Sequence, residues 1–74
     1  MNPYATEPLL NEAIEKLELS EEFRLTAEML GFHRLADLLT HCMAELLALP
    51  GFDYRLWNEY VAFLEQHHLG HYLN

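Results

Sequence analysis

The stretch Glu45-Leu46-Leu47-Ala48-Leu49-Pro50-Gly51-Phe52-Asp53 decides the fold of this 74-residue chain. Apolar residues at helical spacing run up to Leu49, and the Pro50-Gly51 pair then ends the helix and turns the chain. Asp53 follows at once, and its side chain can accept hydrogen bonds from the first N–H groups of a new helix. The stretch therefore predicts two helices joined by a tight turn.

The segments on either side of this turn also have helical spacing. From Arg34 to Leu49 the apolar positions fit one continuous helix. After Asp53 the apolar band is broad, and it comprises Leu56, Trp57, Tyr60, Val61, Phe63 and Leu64. We expect this last helix to be the most buried. Because a small bundle needs a large central side chain, we expect Trp57 in the core.

The N-terminal half predicts two further helices. Apolar spacing favours one helix from Thr6 to Glu18, with Thr6 as its cap. Ser20 is the clearest N-cap of the chain, and Gly31 can end the helix that follows in a left-handed C-cap. No segment alternates with period two over a useful length, so we expect no strand. The fold class is all-α, a compact single domain of four to five helices.

Composition and charge limit the functions open to the chain. Twelve Asp and Glu face four Lys and Arg, so the net charge is −8, and 51% of residues are hydrophobic, which favours a folded domain over disorder. Proteins bind nucleic acids mainly through Lys and Arg, which are few here. The excess of negative charge repels polyanions. Cys42 is alone, no apolar run could span a membrane, and Met1–Tyr4 lacks signal-peptide features. We expect a soluble cytoplasmic protein, complete as given.

The turn resembles a helix-hairpin-helix motif. In that motif the turn usually reads Pro-Gly-hydrophobic-Gly, and the N–H groups at the start of the second helix hold a phosphate. Here Asp53 replaces the second glycine. Its carboxylate accepts from those same N–H groups and puts negative charge where the phosphate would lie. The chain thus matches the motif in its two helices and tight turn, but it has an acidic residue where the motif binds an anion.

With the preceding helices included, the chain resembles the C-terminal domain of the bacterial RNA polymerase α subunit. The matching pieces are Pro8-Leu9-Leu10, Leu17-Glu18-Leu19-Ser20, Ala36-Asp37-Leu38, Glu45-Leu46-Leu47 with Pro50, and Glu59 with Leu64. The resemblance implies a lead over residues 1–7, a helical domain over 8–69 and a tail over 70–74. It also implies that the segment 34–49 breaks into two short helices near His41–Cys42, although Cys42 stands where the family has a capping threonine.

Most positions through which that family contacts DNA differ here. They are Glu22 (arginine in the family), Leu25 (asparagine), Glu28 (lysine), Asp53 (glycine), Arg55 (lysine), Leu56 (serine) and Glu59 (also acidic in the family). Replacing a cation that faces DNA by glutamate removes attraction and adds repulsion, each worth on the order of 1 kcal/mol in a close contact. The resemblance therefore implies the fold without its usual DNA binding.

A second surface implied by the resemblance binds protein. The family meets the sigma factor through an acidic patch before its first core helix, where Glu18 matches the main acid and Glu15 a neighbour, with Lys16 between them. We expect a protein partner, such as a component of the transcription machinery, on an acidic face formed by Glu15, Glu18, Glu21 and Glu22. A contact patch at the turn would comprise Phe52, Asp53, Tyr54, Arg55 and Glu59, with Tyr54 and Arg55 exposed and Phe52 as a candidate exposed anchor.

The sequence gives no sign of an enzyme, a metal or a cofactor. His67 and His71 have chelating spacing, but Gly70 lies between them near the chain end, so we interpret them as part of a solvated tail. His41 and Cys42 are adjacent, point to different faces of a helix and cannot form a catalytic dyad, so Cys42 is interpreted as a small buried side chain. The acidic pairs are expected on a solvated face rather than in a catalytic cleft.

Two alternative functions stay open at this point. One is weak nucleic-acid binding through the turn, using Arg55, the backbone of residues 51–54 and Arg24. The other is DNA mimicry, in which the acidic surface occupies the basic groove of a partner. Both alternatives, like the preferred hypothesis, involve no small-molecule substrate.

Overall fold

The computed structural model describes residues 7–73, and its regular secondary structure is helical. The elements are α1 (Pro8–Asn11), a 3-10 turn (Ile14–Lys16), α2 (Glu21–Met29), α3 (Leu35–Leu38), α4 (Met43–Leu47), α5 (Tyr54–Gln66) and a second 3-10 turn (Gly70–Tyr72). The all-α prediction is confirmed over the described range. Of the predicted lead, residues 1–6, including the Thr6 cap, lie outside the described residues. None of the helices described is long and apolar enough to cross a membrane.

The predicted continuous helix over residues 6–18 is wrong. The helix ends at Asn11, and the chain resumes as a 3-10 turn. The reason is a long-range hydrogen bond, because the Ile14 N–H donates to the His33 carbonyl at 2.9 Å. In a continuous helix that N–H would bond to the Leu10 carbonyl instead. Leu10 and Ile14, on either side of the break, are both buried in the core.

Helix α2 has the two predicted ends. The Ser20 hydroxyl accepts a hydrogen bond from the Phe23 N–H at 3.1 Å, which confirms the N-cap. Gly31 follows the helix with φ +83°, and the Phe32 N–H donates to the Ala27 carbonyl at 2.8 Å. This is the hydrogen-bond pattern of a Schellman motif, which needs the left-handed conformation that glycine adopts without strain.

The break that the resemblance implied between residues 34 and 49 is confirmed. Helix α3 ends at Leu38, and α4 begins at Met43 with Cys42 as its N-cap residue. The Cys42 backbone N–H donates to Glu45 Oε1 at 2.9 Å, and this bond lowers the pKa of the Glu45 carboxyl. The side chain three residues into α4 therefore supplies a cap for an N-cap residue that is itself a poor one. Cys42 is half-buried rather than buried.

The Pro-Gly turn and its helix start are as predicted. The Leu49 carbonyl accepts from the Phe52 N–H at 3.2 Å, and Gly51 between them has φ +82°. With Pro50 ahead of the glycine, this is the arrangement of a type II turn. Helix α5 then begins directly, and the Asp53 carboxylate caps it.

The core is built around two aromatic side chains, Phe23 of α2 and Tyr60 of α5. Both are almost fully buried, and their rings stack with centroids 6.5 Å apart. Trp57 is only partly buried and packs edge-on against Tyr60 at 5.6 Å. The prediction that Trp57 is the central core residue is therefore wrong, since Tyr60 holds that place. The remaining buried residues of this cluster are Leu10, Ile14, Leu19, Ala27, Leu35, Leu38, Leu39, Leu46, Phe52, Leu56, Phe63, Leu64 and Leu69.

The C-terminal segment folds back onto the domain. His68 follows α5 with φ +60°, and the next N–H, that of Leu69, donates to the Leu64 carbonyl at 2.7 Å. This is a second Schellman-type ending, with histidine in the left-handed position. Leu69 is buried, and the Tyr72 hydroxyl donates to Glu7 Oε1 at 3.1 Å. Burial and this hydrogen bond raise the pKa of Tyr72.

Candidate functional site

Three of the residues singled out from the sequence meet at the starts of α2 and α5. The Arg55 guanidinium lies 2.9 Å from Glu22 Oε1 and 3.0 Å from Asp53 Oδ2. All three side chains are partly exposed to solvent. The structure therefore joins the two carboxylates through the one cation of the turn.

Local structure fixes the Asp53 carboxylate. Its Oδ1 accepts from the backbone N–H of Arg55 at 3.0 Å and of Leu56 at 3.2 Å. These bonds satisfy first-turn N–H groups that have no partner within the helix. The same N–H groups would hold an anion in the motif that the turn resembles. Here the chain supplies that anion itself.

Core packing brings Glu22 to the turn. Phe23, the next residue of α2, contacts the Phe52 ring edge-on at 6.2 Å. Because Phe23 is buried between the turn and α5, its neighbour Glu22 lies at the rim beside Arg55. The ion pair is thus a consequence of the aromatic core and not of sequence proximity.

A second polar contact joins the same two helices. The Ser20 backbone N–H donates to Glu59 Oε2 at 2.6 Å, and the Ser20 hydroxyl donates to Glu59 Oε1 at 2.7 Å. Ser20 therefore caps α2 and at the same time binds a carboxylate of α5. Glu59, which was assigned to the contact patch, is engaged within the domain.

Electrostatics reinforce the closed arrangement. Hydrogen bonds from the Leu56 N–H and from Arg55 hold the pKa of Asp53 below its usual range. The Asp53 carboxylate, followed by that of Glu22, raises the pKa of Arg55 above its ordinary value. Arg55 is always charged, and two carboxylates already neutralise it. An incoming phosphate would have to displace them.

The predicted contact patch at the turn is corrected in one respect. Phe52 is 4% exposed and belongs to the core, so it cannot act as an exposed anchor. The turn places it inward against Phe23. Tyr54 is 64% exposed, and Arg55 is also exposed, as expected. The accessible part of the patch is therefore polar with one aromatic side chain.

The four carboxylates of the predicted acidic face are all exposed, but they lie in three surroundings. Glu15 and Glu21 line one groove, Glu18 lines a separate depression with Lys16 and Leu17, and Glu22 pairs with Arg55. Lys16 is 3.8 Å from Glu12, which supplies a partner for the cation next to Glu18.

Sequence reasoning missed two exposed apolar residues of α2: Leu25, which lines the groove with Glu15 and Glu21, and Met29, one helical turn further along. Leu25 is 54% exposed and Met29 is 79% exposed, although both lie in the well-formed helix α2. Their positions relative to Phe23 and Ala27 carried a signal, because they fall off the apolar stripe of the helix. The Ser20–Glu59 contact left no such signal, since the two residues are 39 positions apart.

The histidines and Cys42 form no larger cluster. His67, His68 and His71 are exposed, and in the part of the chain that the structure describes no group of three or more His, Cys, Asp or Glu could hold a metal ion. His41 Nδ1 lies 3.9 Å from Glu45 Oε1. Glu45 is the carboxylate that accepts from the Cys42 N–H, so the polar contacts beside Cys42 belong to the N-terminal cap of α4.

Comparisons with protein-family models, with curated proteins and with solved structures gave no match. The resemblance to the polymerase α C-terminal domain stays a prediction that rests on residue spacing.

Proposed function

We propose that the chain is a non-enzymatic interaction module of the polymerase α C-terminal-domain type, in which DNA binding has been lost and an acidic surface binds a protein of the transcription machinery. In this proposal the turn at residues 49–53 is a helix-hairpin-helix turn that still joins the two helices but no longer binds a phosphate.

The observation that carries the proposal is the ion-pair cluster of Arg55, Glu22 and Asp53. If the resemblance holds, two of these positions carry a cation and a glycine that face DNA in the family. Here both are carboxylates, and they bind the one remaining cation at 2.9 and 3.0 Å. DNA binding would require breaking these contacts and bringing phosphates next to two negative charges.

The acidic residue that the resemblance assigns to sigma contact supports the protein-binding part. Glu18 is exposed, and no ion pair to it exists among residues 7–73. Lys16, the nearby cation in the sequence that could otherwise neutralise the Glu18 carboxylate, lies 3.8 Å from Glu12. A basic patch on a partner would therefore meet an unpaired carboxylate at this place.

The test is direct binding of the purified chain to bacterial RNA polymerase holoenzyme and to isolated sigma factor, measured by biolayer interferometry. We expect binding that Glu18→Lys weakens by roughly tenfold, because it reverses a charge at the interface. Glu65→Lys is the matched control, since Glu65 is exposed on α5 and the change in net charge is the same. Equal binding by both variants, or none by wild type, contradicts the proposal.

A parallel titration with fluorescent duplex DNA separates the alternatives. We expect no binding at physiological salt. Duplex binding with a steep salt dependence would assign the nucleic-acid function instead. Competition between duplex DNA and the wild-type chain for the polymerase would assign DNA mimicry.

A further inference from the structure

A groove runs along one face of α2, and its lining does not include Glu22, Asp53 or Arg55. Its volume is about 360 Å³, near the lower end of the roughly 300–1,000 Å³ typical of binding pockets. Glu21, Leu25 and Glu28 contribute to one side, at the i, i+4, i+7 spacing of a single helix face. Ile14 and Phe32 give the groove apolar surface from other segments.

Leu25, which lines this groove, has a second exposed apolar residue next to it along α2. Leu25 and Met29 stand one helical turn apart, and in the described part of the chain the only other exposed large hydrophobic residue is Tyr54. Two exposed aliphatic side chains next to a groove form a patch, and such a patch is a feature of interaction sites. Covering it would remove apolar surface from water, which is favourable by about 25 cal/mol per Å².

The rim of the groove is negatively charged. Glu15, Glu21 and Glu28 line it, and none of them forms an ion pair among the described residues. Arg24 is the one cation in the lining, and its Nε is buried without a hydrogen-bond acceptor in residues 7–73. Three carboxylates against one guanidinium leave an excess of negative charge around an apolar floor.

We propose that this groove binds a basic amphipathic helix of a partner protein, with apolar side chains against Leu25 and Met29 and lysine or arginine against Glu15, Glu21 and Glu28. The inference rests on the protein-binding part of the proposed function. A helix fits because the described residues contain no strand edge to which an extended peptide could add. At 1.5 Å per residue, the nine residues of α2 match about two and a half turns of a partner.

The occupant is not a second copy of this chain. The chain carries a net charge of −8, and its four Lys and Arg are scattered along the sequence. Two copies would therefore bring like charges together, which opposes association. The partner has to supply the positive charge.

The test uses a fluorescent 18-residue peptide of leucine and lysine with leucines at i, i+3, i+4 and i+7. A scrambled peptide of the same composition and a leucine–glutamate peptide serve as probe controls. Anisotropy is measured at about 50 mM and about 300 mM salt. Because the surface is small, we expect a dissociation constant on the order of 10 µM for the striped basic peptide, with weaker binding at high salt and to the scrambled peptide.

Two pairs of variants locate the binding. We expect Leu25→Ser/Met29→Ser to weaken binding by roughly tenfold, whereas Ala44→Ser/Ala62→Ser, a double substitution at exposed residues outside the groove, leaves it unchanged. We expect Glu28→Lys to weaken binding by roughly fivefold at low salt, with Glu65→Lys within about twofold of wild type. Circular dichroism checks that each variant is folded.

A third substitution tests the sign of the charge effect. Arg24→Met removes the cation of the groove and keeps an apolar side chain, so we expect tighter binding of the basic peptide, by roughly twofold to threefold at low salt. Unchanged or weaker binding by a folded Arg24→Met variant contradicts the charge complementarity.

The outcomes separate this inference from the proposed function. If the groove variants bind the peptide like wild type but Glu18→Lys binds it more weakly, the groove is not the binding site, whereas the acidic interaction surface of the proposed function still stands. Peptide binding that depends on the groove, without binding to polymerase or sigma factor, supports the groove and contradicts the transcription partner. No binding of the striped basic peptide overturns the inference, and so does dimerisation in sedimentation that Leu25→Ser/Met29→Ser abolishes.

Discussion

The Arg55 guanidinium and the Glu22 carboxylate, 33 residues apart in sequence, lie 2.9 Å apart across the starts of two helices. Asp53 binds the same guanidinium from within the turn. If the resemblance holds, these are positions from which a related domain would contact DNA. Instead of facing a common external anion, they neutralise one another. This arrangement leads to the first prediction.

Glu22→Arg should create attraction to nucleic acid at this surface. The substitution removes one partner of Arg55 and adds a second cation at the start of α2. We expect duplex binding in the range of roughly 10–100 µM at low salt, with the logarithm of affinity falling as salt rises. Fluorescence anisotropy measures this, and Glu65→Arg is the control with the same change in net charge. Equal gains in both variants would mean that net charge alone acts and that the Glu22 position has no special geometry.

Ser20→Ala should destabilise the domain by about 1–2 kcal/mol. The substitution removes the N-cap acceptor for the Phe23 N–H and the hydroxyl donor to Glu59. Urea unfolding followed by circular dichroism measures the loss. Ser20→Thr keeps both groups and should stay close to wild type. A Ser20→Ala variant as stable as wild type would show that solvent replaces both hydrogen bonds without loss.

Among residues 7–73, Asp37 is one of three carboxylates with a lowered pKa. Burial acts to raise the pKa of Asp37, but hydrogen bonds from the backbone N–H groups of His33 and Arg34 outweigh it, so the pKa lies below its ordinary value of 3.8. Glu45 and Asp53 are lowered from 4.5 and 3.8 by the bonds that cap their helices. All three groups bind protons more weakly in the folded state than in the unfolded state.

Stability should therefore fall in acid. A depressed pKa contributes stability that is fully present above the unfolded value and is lost as pH falls through the folded value. We expect these three contributions to be constant from pH 7 to about 5 and to decline below about pH 4. Urea midpoints across this range measure the change, and Asp37→Asn should reduce the slope. A midpoint that increases between pH 5 and 3 would contradict this assignment.

His68→Gly should stabilise the domain by about 0.5–1 kcal/mol. His68 holds φ +60° at the end of α5, a conformation that costs a residue with a Cβ and costs glycine little. Thermal unfolding measures the effect. Gln66→Gly is the control, because Gln66 is the last residue of α5 and lies in helical backbone, where glycine is expected to lower stability. A lower Tm for both variants would show that the His68 side chain contributes more than the strain removes.

Most of the helix ends could be predicted from the sequence because they depend on residues that are close in sequence. Ser20, Gly31, the Pro-Gly turn and Asp53 each act within three or four residues, so the sequence shows them directly. The end of α1 could not be predicted. The spacing of residues 9–17 suits a longer helix, and the competing hydrogen bond comes from His33, on a segment that only the folded chain brings close.

The candidate site, too, could be predicted from the sequence only in part. The sequence indicated Asp53 as a cap, and the resemblance implied a reversed charge at Glu22. It could not show that Arg55 joins them, since that depends on Phe23 packing against Phe52. The position of Phe52 was predicted wrongly for the same reason. A residue after a Pro-Gly turn can point either way, and the aromatic cluster decides its direction.

The hydrogen bond from the Tyr72 hydroxyl to Glu7 brings together two residues that are 65 positions apart. Residues 7 and 72, close to the two limits of the described range, therefore lie side by side. A short linker that joins residue 72 to residue 7 would therefore give a circular permutant of the domain, with its new termini opened beside the exposed Thr40 between α3 and α4.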